Sequence, residues 1–171
     1  MPPCVIRPAT PADLATIVDF NVRIAAETED TSLDRDLVTR GVEGVLTNAD
    51  RGRYYLACTE QTIAGQIMHT REWSDWRNGD VWWIQSVYVR RDQRRQGVFR
   101  MLHDHLKTLA EADPRVVGLR LYVDADNRVA QTTYEQLGMT PARYRIMEDL
   151  FAPRGGPAIA TPQLPTWPGR G

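Results

Sequence analysis

Cysteine is scarce: Cys4 and Cys58 are the only two in 171 residues. That excludes a disulfide framework and any all-cysteine zinc site, and it fits free thiols in a reducing compartment. No apolar run approaches the roughly 18 residues that a membrane span needs. The opening MPPCVIRPATPADL lacks the charged-then-apolar layout of a secretory leader. An excess of one charge is missing too. Twenty-one Lys and Arg stand against 22 Asp and Glu, a net charge of −1, whereas a general nucleic-acid binder carries a large basic excess. The three histidines, His69, His103 and His105, have no metal-ligand spacing with other ligands. The expectation is a cytoplasmic chain with no metal, no nucleic acid and no membrane partner. What is present is ordinary globular composition, 42% hydrophobic and 25% charged, enough for one domain with a real core.

The two ends differ in character. Residues 1–151 alternate strand-like and helix-like patterns and read as one domain. Residues 152–171, APRGGPAIATPQLPTWPGRG, are dense in proline and glycine and read as an extended tail. The tail is either disordered or an arm that packs through Ile159, Leu164 and Trp167. Val5-Ile6-Arg7 reads as a first strand. Thr10-Pro11-Ala12-Asp13 is a helix start, followed by Leu14, Ile17, Val18 and Val22 at helical spacing. A second helix is predicted over 34–47, with the acidic connection AAETEDTSLD between the two. Strands follow at 54–59 and 63–70, then a polar loop, EWSDWRNGD, with Asn78-Gly79 as a turn signal. VWWIQSVYV, 81–89, is the strongest strand. The basic turn RRDQRRQG leads into a helix over 97–111. A strand over 116–123, a helix over 127–137 with Gly138 as its cap, and a final strand over 143–150 complete the order β-α-α-β-β-β-α-β-α-β. That order implies an α/β (α+β) fold: a mixed, mostly antiparallel sheet with helices on both faces.

The stretch QSVYVRRDQRRQGVFRML carries chemistry. Gly97 opens a helix just after an arginine-rich turn. The first turn of a helix has unpaired N–H groups and the positive end of the dipole, a ready site for phosphate. Gly97 keeps a Cβ out of an anion's way, and Arg94, Arg95 and Arg100 add charge. Such a turn is equally at home as a solvated surface turn. Downstream, LYVDADNRVAQTTYEQLGM runs from a strand into a short helix, with Asn127 at its start and Tyr134 seven residues on, on roughly the same face.

Together, the R-x-x-G helix start, the next strand, the N-x-x-A-x-x-x-Y helix and L-G-M resemble the GCN5-related N-acetyltransferase (GNAT) superfamily, over about residues 3–151. The resemblance implies an acyltransferase that moves an acetyl group from acetyl-CoA, its co-substrate, to a primary amine, by direct attack through a tetrahedral intermediate. It implies that backbone amides around Arg94, Arg95, Gln96, Gly97, Val98, Phe99 and Arg100 hold the pyrophosphate. Phe99 stands where the superfamily has a small residue, a departure that either narrows the phosphate loop or turns a ring into the core. The free edge at Val87, Tyr88 and Val89 would pair with the pantetheine arm, and an amide at Val87 or Tyr88 would stabilise the oxyanion. Asn127 would bond the pantetheine or a water, or simply cap its helix. Tyr134 matches the general acid. A phenol with pKa about 10 stays protonated at neutral pH and can protonate a departing thiolate; the competing reading is a half-buried aromatic on an amphipathic helix.

A base is not evident. Some relatives place Glu or His on the central strand, where this sequence has Trp83; Gln85, on the same face, cannot serve either. Glu27, Glu29, Asp30, Glu72 and Asp75 lie on segments that shape the acceptor site in the superfamily. The proton is therefore expected to leave through water, Glu27 or Glu72. His69 reads as a surface residue on a hairpin. Trp73, Trp76, Trp82 and Trp83 crowd 11 residues; they are either core or an aromatic wall that, with carboxylates, would suit a small cationic amine. The alternatives to an enzyme are an acyl-CoA-binding sensor or interaction module of the same fold, or a domain binding another phosphate ligand. A homodimer is compatible with an exposed sheet edge and an adhesive tail.

Overall fold

The computed structural model describes residues 4–28, 31–149 and 151. The elements run β1 (Val5–Pro8), α1 (Leu14–Thr28), α2 (Arg35–Leu46), β2 (Arg53–Cys58), β3 (Ile63–Ser74), β4 (Gly79–Val89), α3 (Val98–Ala112), β5 (Val116–Leu121) and α4 (Arg128–Gln136). The five strands form one sheet in the order β1-β2-β3-β4-β5. Every neighbouring pair is antiparallel except β4 and β5, which are parallel. Strand alternation sends Tyr54 and Leu56 to one face and Tyr55 and Ala57 to the other. The first face packs with Ile17, Val18 and Val42 of α1 and α2; the second packs with Val98, Leu102, Leu106 and Ala110 of α3. The sheet is thus covered on both faces, the layering the element order implies.

Local chemistry sets the helix ends. A single 3₁₀ turn, Pro11–Asp13, precedes α1. The Asp13 carboxylate accepts from the Thr10 amide (2.8 Å), the Thr10 hydroxyl (3.0 Å) and both Arg7 Nη atoms (2.8 and 2.7 Å). The Arg7 bond is the main reason its pKa falls to about 2. Asp34 caps α2 by accepting from the amides of Asp36 and Leu37. No helix among the described residues is long and apolar enough to cross a membrane.

The structure departs from the sequence reading in four places. Most of EWSDWRNGD is hairpin: Glu72, Trp73 and Ser74 extend β3, Gly79 and Asp80 begin β4, and Trp73 pairs with Asp80. Asn78 takes φ +49 and closes the turn, a conformation asparagine tolerates better than most residues. β5 stops at Leu121, two residues short. No strand forms over 143–149; Leu150 lies outside the described residues, as does the 152–171 tail. Residues 143–149 join no strand ladder among the described residues and are exposed, Tyr144 at 82% and Met147 at 90%, so alternation alone does not make them a strand. The fourth departure is His69, which is 2% exposed rather than a surface residue.

The His69 ring stacks on Trp82 with centroids 4.0 Å apart and lies 6.1 Å from Tyr55. Neither ring nitrogen has a hydrogen-bond partner among the described residues. Burial, and then the positive charge of Arg71 and Arg53, lowers its pKa from 6.5 to about 4. The neutral imidazole is the form that fits the core. Between pH 6.5 and 4 the unfolded chain holds a proton that the folded chain does not. Stability from this group is therefore full above pH 6.5 and falls as the pH drops through that window, by about 3 kcal/mol in all. Urea unfolding at pH 7.5 and 4.5 should show this loss, and His69→Phe should flatten the profile. Equal pH slopes in the two proteins would exclude His69 as its source.

Candidate active site

β4 and β5 pair through Asp80↔Val116, Val81↔Gly118, Trp82↔Leu119, Trp83↔Arg120 and Ile84↔Leu121, and then part. The parting coincides with a bulge. Against β3, His69 faces Ile84 and Met68 faces Ser86, so Gln85 is the extra residue. A bulge bends and twists its strand, which turns Ser86–Val89 away from β5. Their edge on that side has no strand partner among the described residues. At the closed end the two strands approach tightly: a Cβ on Gly79 would lie 2.4 Å from Val117 Cγ1.

The open end faces the start of α3. Gly97 is the N-cap, in the left-handed region at φ +78, and no side chain caps the helix. The amides of the first turn therefore have no intrahelical partner and no cap. Its chain neighbours and its own helix backbone aside, no atom of the described residues lies within 4 Å of where a Gly97 Cβ would stand, so the space beside the N-cap is open. Arg95 also has positive φ, +61.

The three arginines divide. Arg95 and Arg100 are exposed and make no ion pair or side-chain hydrogen bond with the described residues. Arg94 is spent internally: Nη2 donates to Glu27 Oε2 (2.6 Å) and Nε to the Val89 carbonyl (2.9 Å). Glu27 also accepts from Arg91 Nε (3.2 Å) and lies 3.4 Å from the Tyr88 hydroxyl. The Arg94 bond is the largest of the effects that hold its carboxylate below the usual range, which weakens it as a base.

Tyr134 lines a 220 Å³ cavity with Leu121 and Val123. Its ring meets Phe99 edge-to-face, centroids 5.7 Å apart at 78°. Phe99, half-buried, is thus turned toward α4; it also lies 6.2 Å from the His103 ring. Burial pushes the Tyr134 hydroxyl above its ordinary pKa, which keeps the phenol protonated at neutral pH. Asn127 caps α4 by accepting from the Ala130 amide (3.0 Å). Gly138, at φ +87, closes the helix.

On the α1 face, the row across β3, β4 and β5 holds residues from both sequence regions. Glu72 accepts from the Trp83 indole and from Arg120 Nη1 (2.9 Å). Arg120 lies over the Trp83 ring at 5.3 Å, and Tyr122 contacts the same ring at 4.4 Å. Gln85 donates to the Thr70 hydroxyl (3.1 Å). Trp82 is core, while Trp83 is half-buried on the other face; Trp73 and Trp76 are exposed. Arg120 and Tyr122 did not stand out in the sequence, because only the parallel register sets Arg120 beside Trp83. Glu27 and Glu72 fall in two separate clusters, near Tyr88 and near Trp83. Five residues of β4 separate those points, roughly 16 Å at about 3.3 Å per residue. Glu29 and Asp30 lie outside the described residues.

A family model described as Acetyltransferase (GNAT) family matches residues 19–139. A protein described as a possible acetyltransferase from Clostridium difficile 630 is 42% identical, with a TM-score of 0.82 over 86% of this chain and 97% of that one. An aminoglycoside N-acetyltransferase solved with CoA shares the fold at 14% identity and a TM-score of 0.73, over 86% of this chain and 95% of that one. An aminoglycoside acetyltransferase from an uncultured soil metagenomic sample, solved with sisomicin, does so at 14% identity and 0.67, over 88% and 97%. No curated protein matches the sequence. The chain belongs to the GNAT acetyltransferase family and is an acyltransferase.

The Asn127 cap is testable apart from any chemistry. Asn127→Ala should cost about 1 kcal/mol and Asn127→Asp much less. In a domain of this size the alanine variant should melt about 2–4 °C lower. An unchanged melting temperature would show that the cap does not hold α4.

Proposed function

We propose that this chain transfers an acetyl group from acetyl-CoA to a primary amine of a small molecule, with Tyr134 as general acid. One observation carries the reading. β4 parts from β5 beyond Ile84 and Leu121, α3 begins uncapped at Gly97, and the Tyr134 ring packs edge-to-face on Phe99 in the first turn of that helix. Acetyl-CoA supplies the acyl group as a thioester, whose carbonyl carbon accepts the amine and whose sulfur leaves.

The residues present fit that ligand. The open space before Gly97 and the free amides of the first turn suit a diphosphate. With Arg94 engaged by Glu27, Arg95 and Arg100 are the arginines that add charge there. The free edge at Val87 and Tyr88 gives an amide-bearing arm a strand-like partner. An amide at Val87 or Tyr88 polarises the carbonyl oxygen. The C–N bond forms first, giving a tetrahedral intermediate, and the C–S bond breaks as that intermediate collapses. Tyr134 gives its proton to the leaving sulfur and recovers one from solvent. The amine's proton leaves through water: Glu27 and Glu72 are both engaged by arginine, and Trp83 and Gln85 have no basic atom. The fold shared with aminoglycoside acetyltransferases supports a small-molecule acceptor. The Arg120 guanidinium lies over the Trp83 ring, so an amine's charge at that indole would share it with a cation already there.

The test is thiol release from acetyl-CoA with a panel of aminosugars, polyamines and amino-acid amides. Tyr134→Phe should lower kcat by about 10²–10⁴-fold with little change in KM for acetyl-CoA. Turnover equal to the parent would remove Tyr134 from the acid role. Gly97→Ala places a methyl in the open space before the amides, and should raise KM for acetyl-CoA more than it changes kcat.

A further inference from the structure

We infer that Phe99 is the positioning residue that aims the Tyr134 phenol. The inference rests on the acid role proposed for Tyr134. That role needs a fixed direction for the hydroxyl, and the ring contact with Phe99 is one restraint the structure shows. The Tyr134 hydroxyl has no hydrogen-bond partner among the described residues. α4, nine residues long, contains no buried residue. Toward its far end a 340 Å³ cavity lies between His103, Lys107 and Ala110 of α3 and Leu137–Met139. Against that gap, the Phe99–Tyr134 pair is the aromatic contact joining α3 to α4 among the described residues.

The geometry suits the task. At 5.7 Å and 78° the rings are edge-to-face, an arrangement favoured by their quadrupoles. Phe99 is the second residue of α3, one turn from the rigid body of a helix whose Leu102 and Leu106 are fully buried. Tyr134 is thus referred to the helix that also presents the phosphate-facing amides. A bulky residue at the mouth of that helix, with its ring turned to α4, leaves the space before Gly97 open. The substitution that departs from the motif is thereby compatible with diphosphate binding, and it serves the phenol instead.

Losing the edge-to-face pair should lower kcat by up to about tenfold. With acetyl-CoA and the panel amine turned over fastest, Phe99→Ala should show that loss with KM for acetyl-CoA within twofold. Phe99→Trp should retain kcat within about twofold. In a Tyr134→Phe background, Phe99→Ala should change kcat less than twofold, because the group it positions is gone. Equal losses in both backgrounds, or a raised KM at constant kcat, would overturn the inference. If Tyr134→Phe itself keeps full turnover, the acid assignment fails first, a result distinct from either. A readout without acetyl-CoA guards against a folding artefact. In protein with ¹³C-labelled tyrosine, the Tyr134 ring signals should move toward free-tyrosine positions in Phe99→Leu. Signals that stay in place would show that the rings do not meet.

Discussion

The site depends on where β4 and β5 stop being neighbours. Parallel strands joined at one end and parted at the other expose a length of backbone without unfolding anything. Here the release has a local cause, the extra residue at Gln85, while β3 continues to hold the opposite edge of β4. The crossover after β4 then delivers the start of α3 to the opening, and the segment after β5 delivers α4 to its other side. None of these parts is unusual alone. Their joint position follows from one bulge and from the right-handed crossover that parallel strands require.

Charge pairing shapes the site as much as topology does. Glu27 and Glu72 are the acidic residues nearest in kind to a base, and each meets an arginine far away in sequence: Arg94 in one case, Arg120 in the other. The Glu27 carboxylate, accepting from Arg94, is held below the usual range and loses basicity. The same pairs lock structure. Glu27 ties the end of α1 to the turn before α3, and Glu72 ties β3 to β5 across Trp83. An amine that arrives already neutral, or sheds its proton to water, needs neither acid.

Much of this was legible in the sequence because it is written locally. VWWIQSVYV alternates as a strand should, glycine after an arginine turn marks the start of α3, and Asn127 and Gly138 bracket α4 by the rules of helix ends. The motif resemblance supplied the family, which the family match and the 42% identical relative then established. The misreadings concern features decided at a distance. The extension of the hairpin through Glu72 depends on cross-strand partners for polar residues. The fate of 143–149 depends on whether a sheet edge receives it. His69 is polar by type but buried by the rings of Tyr55 and Trp82, which lie on other strands. The partners of Glu27 and Glu72 are invisible until the chain is folded.

Gly79 gives the arrangement a fulcrum. At the joined end of β4 and β5 the chains are so close that a methyl group would collide with Val117 and with the Arg115 carbonyl, 2.8 Å away. Two strands held over a short run behave as the arms of a lever. Bulk inserted at residue 79 would spread them at the hinge and alter the angle at which they diverge. The spacing of the two strands is therefore set in part by a residue with no side chain, at the end where they stay joined.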